Sequence, residues 1–135
     1  MPQISVIVPA FKPHDFISLH ESMAANAGVD AEWIVVDDGS GSNFDAVFST
    51  LPEGVRLLRQ KENCRQGAAR NAGLAVARGR WVKFLDADDK LDEGHLAALL
   101  AATGQGRAIP FAATKHVFIG GGVLVNESWC DLPPD

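Results

Sequence analysis

The chain alternates between two hydrophobic rhythms. Continuous β-branched runs mark strands. Ile4-Ser5-Val6-Ile7-Val8, stopped by Pro9, reads as a central buried strand because proline offers a ladder no donor, and Trp33-Ile34-Val35-Val36 reads as a second. Apolar residues three and four apart mark helices. Phe16, Leu19, Met23 and Ala27 form one stripe of a helix predicted over Asp15 to Ala27, with Asp15 placed to cap its start and Gly28 its end. A short helix from Asn43 to Leu51 and a third strand, Val55-Arg56-Leu57-Leu58, come next. The helix predicted from Gln66 to Arg78 is rich in alanine (Ala68, Ala69, Ala72, Ala75, Ala77), which lets its backbone lie close to a sheet. A fourth strand, Trp81-Val82-Lys83-Phe84-Leu85, ends at an acidic turn, and Asp92 can cap a further helix reaching Thr103.

Strands alternating with helices of this length predict an α/β fold, with right-handed crossovers, a mostly parallel sheet and helices on both faces. Such sheets bind ligands beyond the carboxyl ends of their strands. After Gly104 the pattern thins. Ile109 to Ala113 and His116 to Val125 read as strands, the second interrupted by Gly120-Gly121-Gly122, and the tail from Asn126 to Asp135 is irregular.

Length and composition refine this picture only slightly. With 135 residues, 47% hydrophobic and 21% charged, the chain fits one domain, residues 1–135, able to bury a core. The net charge of −5 disfavours a nucleic-acid partner. Its distribution is uneven. Eight of the twelve basic residues (Arg56, Arg59, Lys61, Arg65, Arg70, Arg78, Arg80 and Lys83) fall between Arg56 and Lys83, and the stretch from Asp86 to Glu93, DADDKLDE, holds five acids. A cationic segment running into an anionic turn could hold a metal-bound phosphate ester, although charge runs are more often solvated faces. Cys64 and Cys130 stand far apart without ligand spacing, which predicts reduced thiols. No apolar run is long enough to span a bilayer and no signal pattern is present, so a cytoplasmic location is expected, with membrane association through other segments left open.

Three polar clusters fall where predicted parallel strands stop: Pro9 to Lys12, Asp37 to Ser40 and Asp86 to Asp89. A carboxylate at a strand end is held by a rigid element yet reachable by solvent, which suits ribose hydroxyls and divalent cations. Asp86 and Asp88, two apart on a segment read as extended, would point to one side and admit a hard cation, Mg²⁺ or Mn²⁺, between themselves and a diphosphate.

In SVIVPAFK, WIVVDDGSGS, Asn63-x-x-x-Gly67-Ala68-Ala69-Arg70-Asn71-x-Gly73 and WVKFLDADD, over about residues 3 to 96, the sequence resembles the inverting family 2 glycosyltransferases of GT-A fold, the Rossmann-like nucleotide-diphospho-sugar transferases. The resemblance implies a UDP-sugar or other nucleoside-diphosphate-sugar donor. Within it, Asp38 would recognise the base with Asp37 beside it, Asp88 would be the metal ligand, and Asp86 would contact ribose or donor sugar. Pro9, Phe11, Arg65 and Asn71 would be substrate-binding, and Asp89 is a third acid. The family usually carries asparagine after the aromatic residue of its first segment; this chain has Lys12. Family members also continue for about another hundred residues that hold a catalytic base and an acceptor pocket, and no motif around Glu127 or Asp131 supports a base role. The chain is therefore expected to supply the donor and metal side of a domain incomplete at its C-terminal end.

Two other readings stay open at this level. One is a module that binds nucleotide sugar without turnover. The other is a receiver-like phosphoacceptor, weakened because Lys83 lies inside its strand. The apolar stretch Val117, Phe118, Ile119, Val123, Leu124, Val125 and Trp129 would be left uncovered, which predicts a two-fold homodimer through the C-terminal segment.

Overall fold

The computed structural model describes residues 1–103, 114–117 and 123–126, with the side chain of Gln66 and those of the last two segments outside the description. The chain folds as two compact units, Met1–Glu93 and Gly94–Asp135.

The first unit carries strands β1 (Ile4–Ala10), β2 (Ala31–Asp37), β3 (Arg56–Arg59) and β4 (Trp81–Phe84), interleaved with helices α1 (Ile17–Ala25), α2 (Asp45–Phe48) and α3 (Arg65–Val76). All pairings are parallel and the order is β3-β2-β1-β4, so β1 is central as the sequence predicts. Every residue of β1 is buried.

Pairing register divides the side chains between two faces. Ile7 lies opposite Ile34, and Val36 opposite Leu58. With Ala69 of α3 these residues make one core, flanked by Ala72 and Val76. The alanine-rich helix lies close enough that a Cβ at Gly73 would stand 2.5 Å from Ile7 Cγ2, so the small residue sets the separation of helix and sheet. On the other face Arg59 stacks on the Phe48 ring of α2, and Phe48 meets Phe16, which precedes α1, at 5.5 Å between centroids. Helices thus cover both faces, as alternation predicts.

Element ends moved where backbone chemistry outranks periodicity. β1 does not stop at Pro9 but continues to Ala10, paired with β2 throughout. The reason is parity. Ile7 accepts from Leu85 N–H on the β4 side and Ala10 accepts from Asp38 N–H on the β2 side, so the donor that Pro9 lacks would face β4, whose pairing ends at Ile7–Phe84. Asp15 does accept the Ile17 N–H at 2.9 Å, but α1 closes at Ala25, before Gly28. The helix expected over Asn43–Leu51 is a 3-10 turn, Ser42–Phe44, followed by the single turn of α2.

In the second unit α4 (His95–Ala102) begins after Gly94 rather than from a cap at Asp92, and β5 (Thr114–Val117) pairs antiparallel with β6 (Val123–Asn126). The strand expected at Ile109–Ala113, the triple glycine, Phe118, Ile119, Glu127, Trp129 and Asp131 lie outside the described residues. No helix among the described residues is long and apolar enough to cross a membrane.

Candidate nucleotide-sugar site

At the carboxyl end of the sheet, β1 runs three residues past its last pairing with β4, and the two strands part. A cleft of about 480 Å³ opens there, lined by Pro9, Ala10, Phe11, Lys12, Pro13, His14, Asp38, Asp86, Ala87 and Asp88. Of the residues expected to form the site, Pro9, Phe11, Asp38, Asp86 and Asp88 therefore share one wall system, while Asp37, Arg65 and Asn71 do not line it.

Neighbouring aspartates after β2 are used in opposite ways. Asp37 is buried: one carboxylate oxygen accepts the Ser40 N–H at 2.9 Å and the other accepts Arg59 Nε at 2.8 Å. Arg59 also reaches Asp45, and these two acids, Asp45 first, hold its guanidinium more firmly charged than usual. Asp38 is 3% exposed, yet only one of its oxygens has a partner among the described residues, the Cys64 N–H at 2.9 Å. That bond needs the loop before α3 to touch the β2 turn. Gly39 permits it, with φ +75° and a virtual Cβ only 2.4 Å from Asn63 N, so any side chain would push the loop away.

The acids after β4 are more open. Asp86 through Asp89 form a tight turn, closed by an Asp89 N–H to Asp86 C=O bond of 3.0 Å, rather than the extended segment the spacing suggested. Both Asp86 and Asp88 nevertheless line the cleft. Asp86 Oδ1 lies 3.5 Å from Arg70 Nη2, and the Arg70 guanidinium sits over the Phe84 ring at 5.5 Å. Asp88 is exposed.

The basic segment does not face this turn as a block. Arg56 and Arg78 pair with Glu32 at the far end of β2, Arg59 is taken by Asp37 and Asp45, and only Arg70 meets an acid of the turn. The basic residues lining the cleft are instead Lys12 and His14, contributed by the turn after β1. Lys12 adopts φ +48°, a left-handed conformation that an L residue other than glycine or asparagine enters at roughly 1 kcal/mol. Its N–H is held by Ser40 Oγ at 2.8 Å. The asparagine usual in the family suits that backbone; lysine has to be held in it.

A divalent cation fits these residues in one respect. Mg²⁺ and Mn²⁺ accept one or two carboxylates and take their remaining oxygens from phosphate and water, and Asp86 and Asp88 are two such carboxylates in one cleft. No cluster of three or more acidic, histidine or cysteine ligands exists among the described residues, so the protein groups alone would not complete a shell.

The profile of the family described as Glycosyl transferase family 2 matches residues 5–129. The chain belongs to glycosyltransferase family 2. Among its relatives in that family, the succinoglycan biosynthesis protein ExoO of Rhizobium meliloti is 36% identical over 102 residues, covering 74% of this chain and 29% of ExoO. The GalNAc(5)-diNAcBac-PP-undecaprenol β-1,3-glucosyltransferase of Campylobacter jejuni is 34% identical over 132 residues, covering 94% of this chain and 40% of that enzyme. This family 2 chain thus spans well under half the length of either relative. Among solved structures, the mannosyltransferase PcManGT of Pyrobaculum calidifontis, in complex with GDP-Man and Mn²⁺, superposes with a TM-score of 0.68 at 23% identity, over 78% of this chain and 33% of that one. Residues 1–349 of Staphylococcus aureus TarS superpose at 0.60 and 24% identity, over 85% of this chain and 41% of that one. The fold is the GT-A arrangement that the sequence resemblance implied.

Proposed function

We propose that this chain carries the donor half of a glycosyltransferase, binding a nucleoside-diphosphate sugar together with Mg²⁺ or Mn²⁺ and presenting its anomeric carbon for inverting transfer. The observation that carries the proposal is the gathering of Phe11, Asp38, Asp86 and Asp88 around one cleft where β1 and β4 part. Phe11, 47% exposed, offers a ring face on which a base can stack. The oxygen of Asp38 left over from the Cys64 bond can accept from a base N–H such as that of uracil. Asp86, steadied by Arg70, is the acceptor for ribose or sugar hydroxyls, and Asp88 is the group that would hold the cation. Asp37 acts behind them, keeping the β2 turn in shape, and Arg65 and Asn71 stay outside this assignment. A metal-assisted donor site is in keeping with the Mn²⁺ and GDP-Man held by PcManGT, which shares the fold.

In the reaction, an acceptor hydroxyl gives its proton to a carboxylate base and its oxygen attacks the anomeric carbon. The bond from that carbon to the phosphate oxygen breaks, and nucleoside diphosphate leaves with the electron pair. A bound cation would supply Lewis-acid neutralisation of the leaving diphosphate. Asp88 would hold it, Asp86 would fix the sugar and Asp38 the base, so that the donor is oriented before the acceptor arrives. Acceptor and base belong to the whole protein's chemistry and are not assigned to described residues.

Titration calorimetry with UDP and GDP, with Mn²⁺ and with chelator, tests the reading. Binding should tighten about tenfold or more with metal, and Asp88→Ala should erase that dependence. Equal affinity with and without metal would remove the cation from the proposal. No binding of either nucleotide would end it.

A further inference from the structure

We propose that Lys12 is the anion-contacting wall of the cleft, its ammonium meeting the diphosphate of the bound nucleotide; this rests on the donor-site reading above. Charge balance is the first argument. Three carboxylates line the cleft, Asp38, Asp86 and Asp88, and a diphosphate brought among them needs protein cations as well as metal. Four of the arginines that the sequence places nearby are paired with acids, Arg59 with Asp37 and Asp45, Arg56 and Arg78 with Glu32, and Arg70 with Asp86, and no arginine lines the cleft. Lys12 is the lining residue with a permanent positive charge, and His14, whose ring nitrogens can donate, stands beside it.

The backbone supplies the second argument. Lys12 sits at φ +48°, a conformation its side chain does not favour, and a relay holds it there: Asp37 accepts from Ser40 N–H, and Ser40 Oγ accepts from Lys12 N–H. Strain that the surroundings over-determine collects at ligand clamps. The ammonium also lies 5.2 Å from the centre of the Phe11 ring, which lines the same cleft.

The substitution that relieves the strain while removing the charge is Lys12→Asn, because asparagine accepts left-handed backbone. Its thermal midpoint should rise by about 4 °C. Its affinity for UDP or GDP in Mn²⁺ should nonetheless fall about tenfold, as loss of a charge-assisted contact requires. Uridine or guanosine, which lack phosphate, should bind Lys12→Asn and the parent protein alike by ligand-observed NMR, and Lys12→Arg should keep diphosphate affinity within about threefold. Unchanged diphosphate affinity in Lys12→Asn would overturn the proposal while leaving the donor site intact. Equal weakening of nucleoside and diphosphate would overturn it too, by showing that Lys12 acts through the Phe11 ring. A parent protein that binds neither nucleotide would remove both this role and the donor site.

Discussion

The turns that follow β2 and β4 are both acidic, both sit at carboxyl ends of parallel strands, and are built on opposite plans. After β2, Asp37, Asp38 and Ser40 are all buried, and Asp37 spends both oxygens on its own fold. After β4, Asp86 is about half exposed, with its Oδ1 3.5 Å from Arg70 Nη2, and Asp88 is exposed. The first turn is held largely from within and the second lies more open to solvent. Under the proposed donor-site reading, a site that recognises a rigid base and also accommodates a cation and a flexible diphosphate gains from this division. Preorganised acceptors discriminate, whereas solvent-reachable carboxylates can change ligands without first breaking internal bonds.

Breaking the turn after β2 should have the largest effect. Asp37→Ala strands the Ser40 N–H and leaves Arg59 with Asp45 and the Gly41 carbonyl, so chemical denaturation should show a loss of about 3 kcal/mol. A loss below about 0.5 kcal/mol, the level of an ordinary surface change, would mean that the turn is not held from within. Next comes its neighbour. Asp38→Ala should weaken nucleotide binding about thirtyfold, with or without metal, and should lower stability by only about 1 kcal/mol through the lost Cys64 bond. If the affinity held and the stability fell as far as in Asp37→Ala, the two aspartates would share one structural role and the contrast would fail.

The smallest effect concerns the opposite end of β2, where Glu32 follows the plan of the β2 turn. Burial alone would raise its pKa, but the Arg78 N–H, the Ser5 hydroxyl and the Arg78 and Arg56 charges outweigh that and hold it below the ordinary 4.5. With the folded pKa below the unfolded one, its contribution is complete above about pH 4.5 and is lost as pH falls toward the folded value. Glu32→Gln should therefore flatten the decline of stability below that pH. An unaltered acid limb in urea titrations would show that the cluster is not coupled to folding.

Much of the fold was legible because its signals are local. β-branched runs, a three-four apolar stripe and an alanine-rich helix are each read within a few residues, and they predict the four strands and the parallel order of the sheet's core. Boundaries were less legible, because Pro9 is tolerated only through the parity of its neighbours across the sheet. Within the site, Phe11, Asp38, Asp86 and Asp88 were visible as polar or aromatic residues at strand ends. Arg70 was visible only as part of a motif, and Lys12 and His14 carried no local signal beyond a departure at Lys12. Its left-handed backbone explains why that position matters.

By itself the sequence determined the order of elements, the strand ends at which chemistry could gather and the family, since all three reside in residue type and spacing along the chain. Tertiary structure decided how each charge is used. Asp37 and Asp38 are indistinguishable in sequence, yet alternation sends successive side chains to opposite faces, so one meets Arg59 and the other lines the cleft. The cationic segment likewise looked like a single patch. Four of its arginines were shared among Glu32, Asp37, Asp45 and Asp86 because an ion pair depends on distance in space, and residues far apart in the chain became neighbours only when the sheet formed.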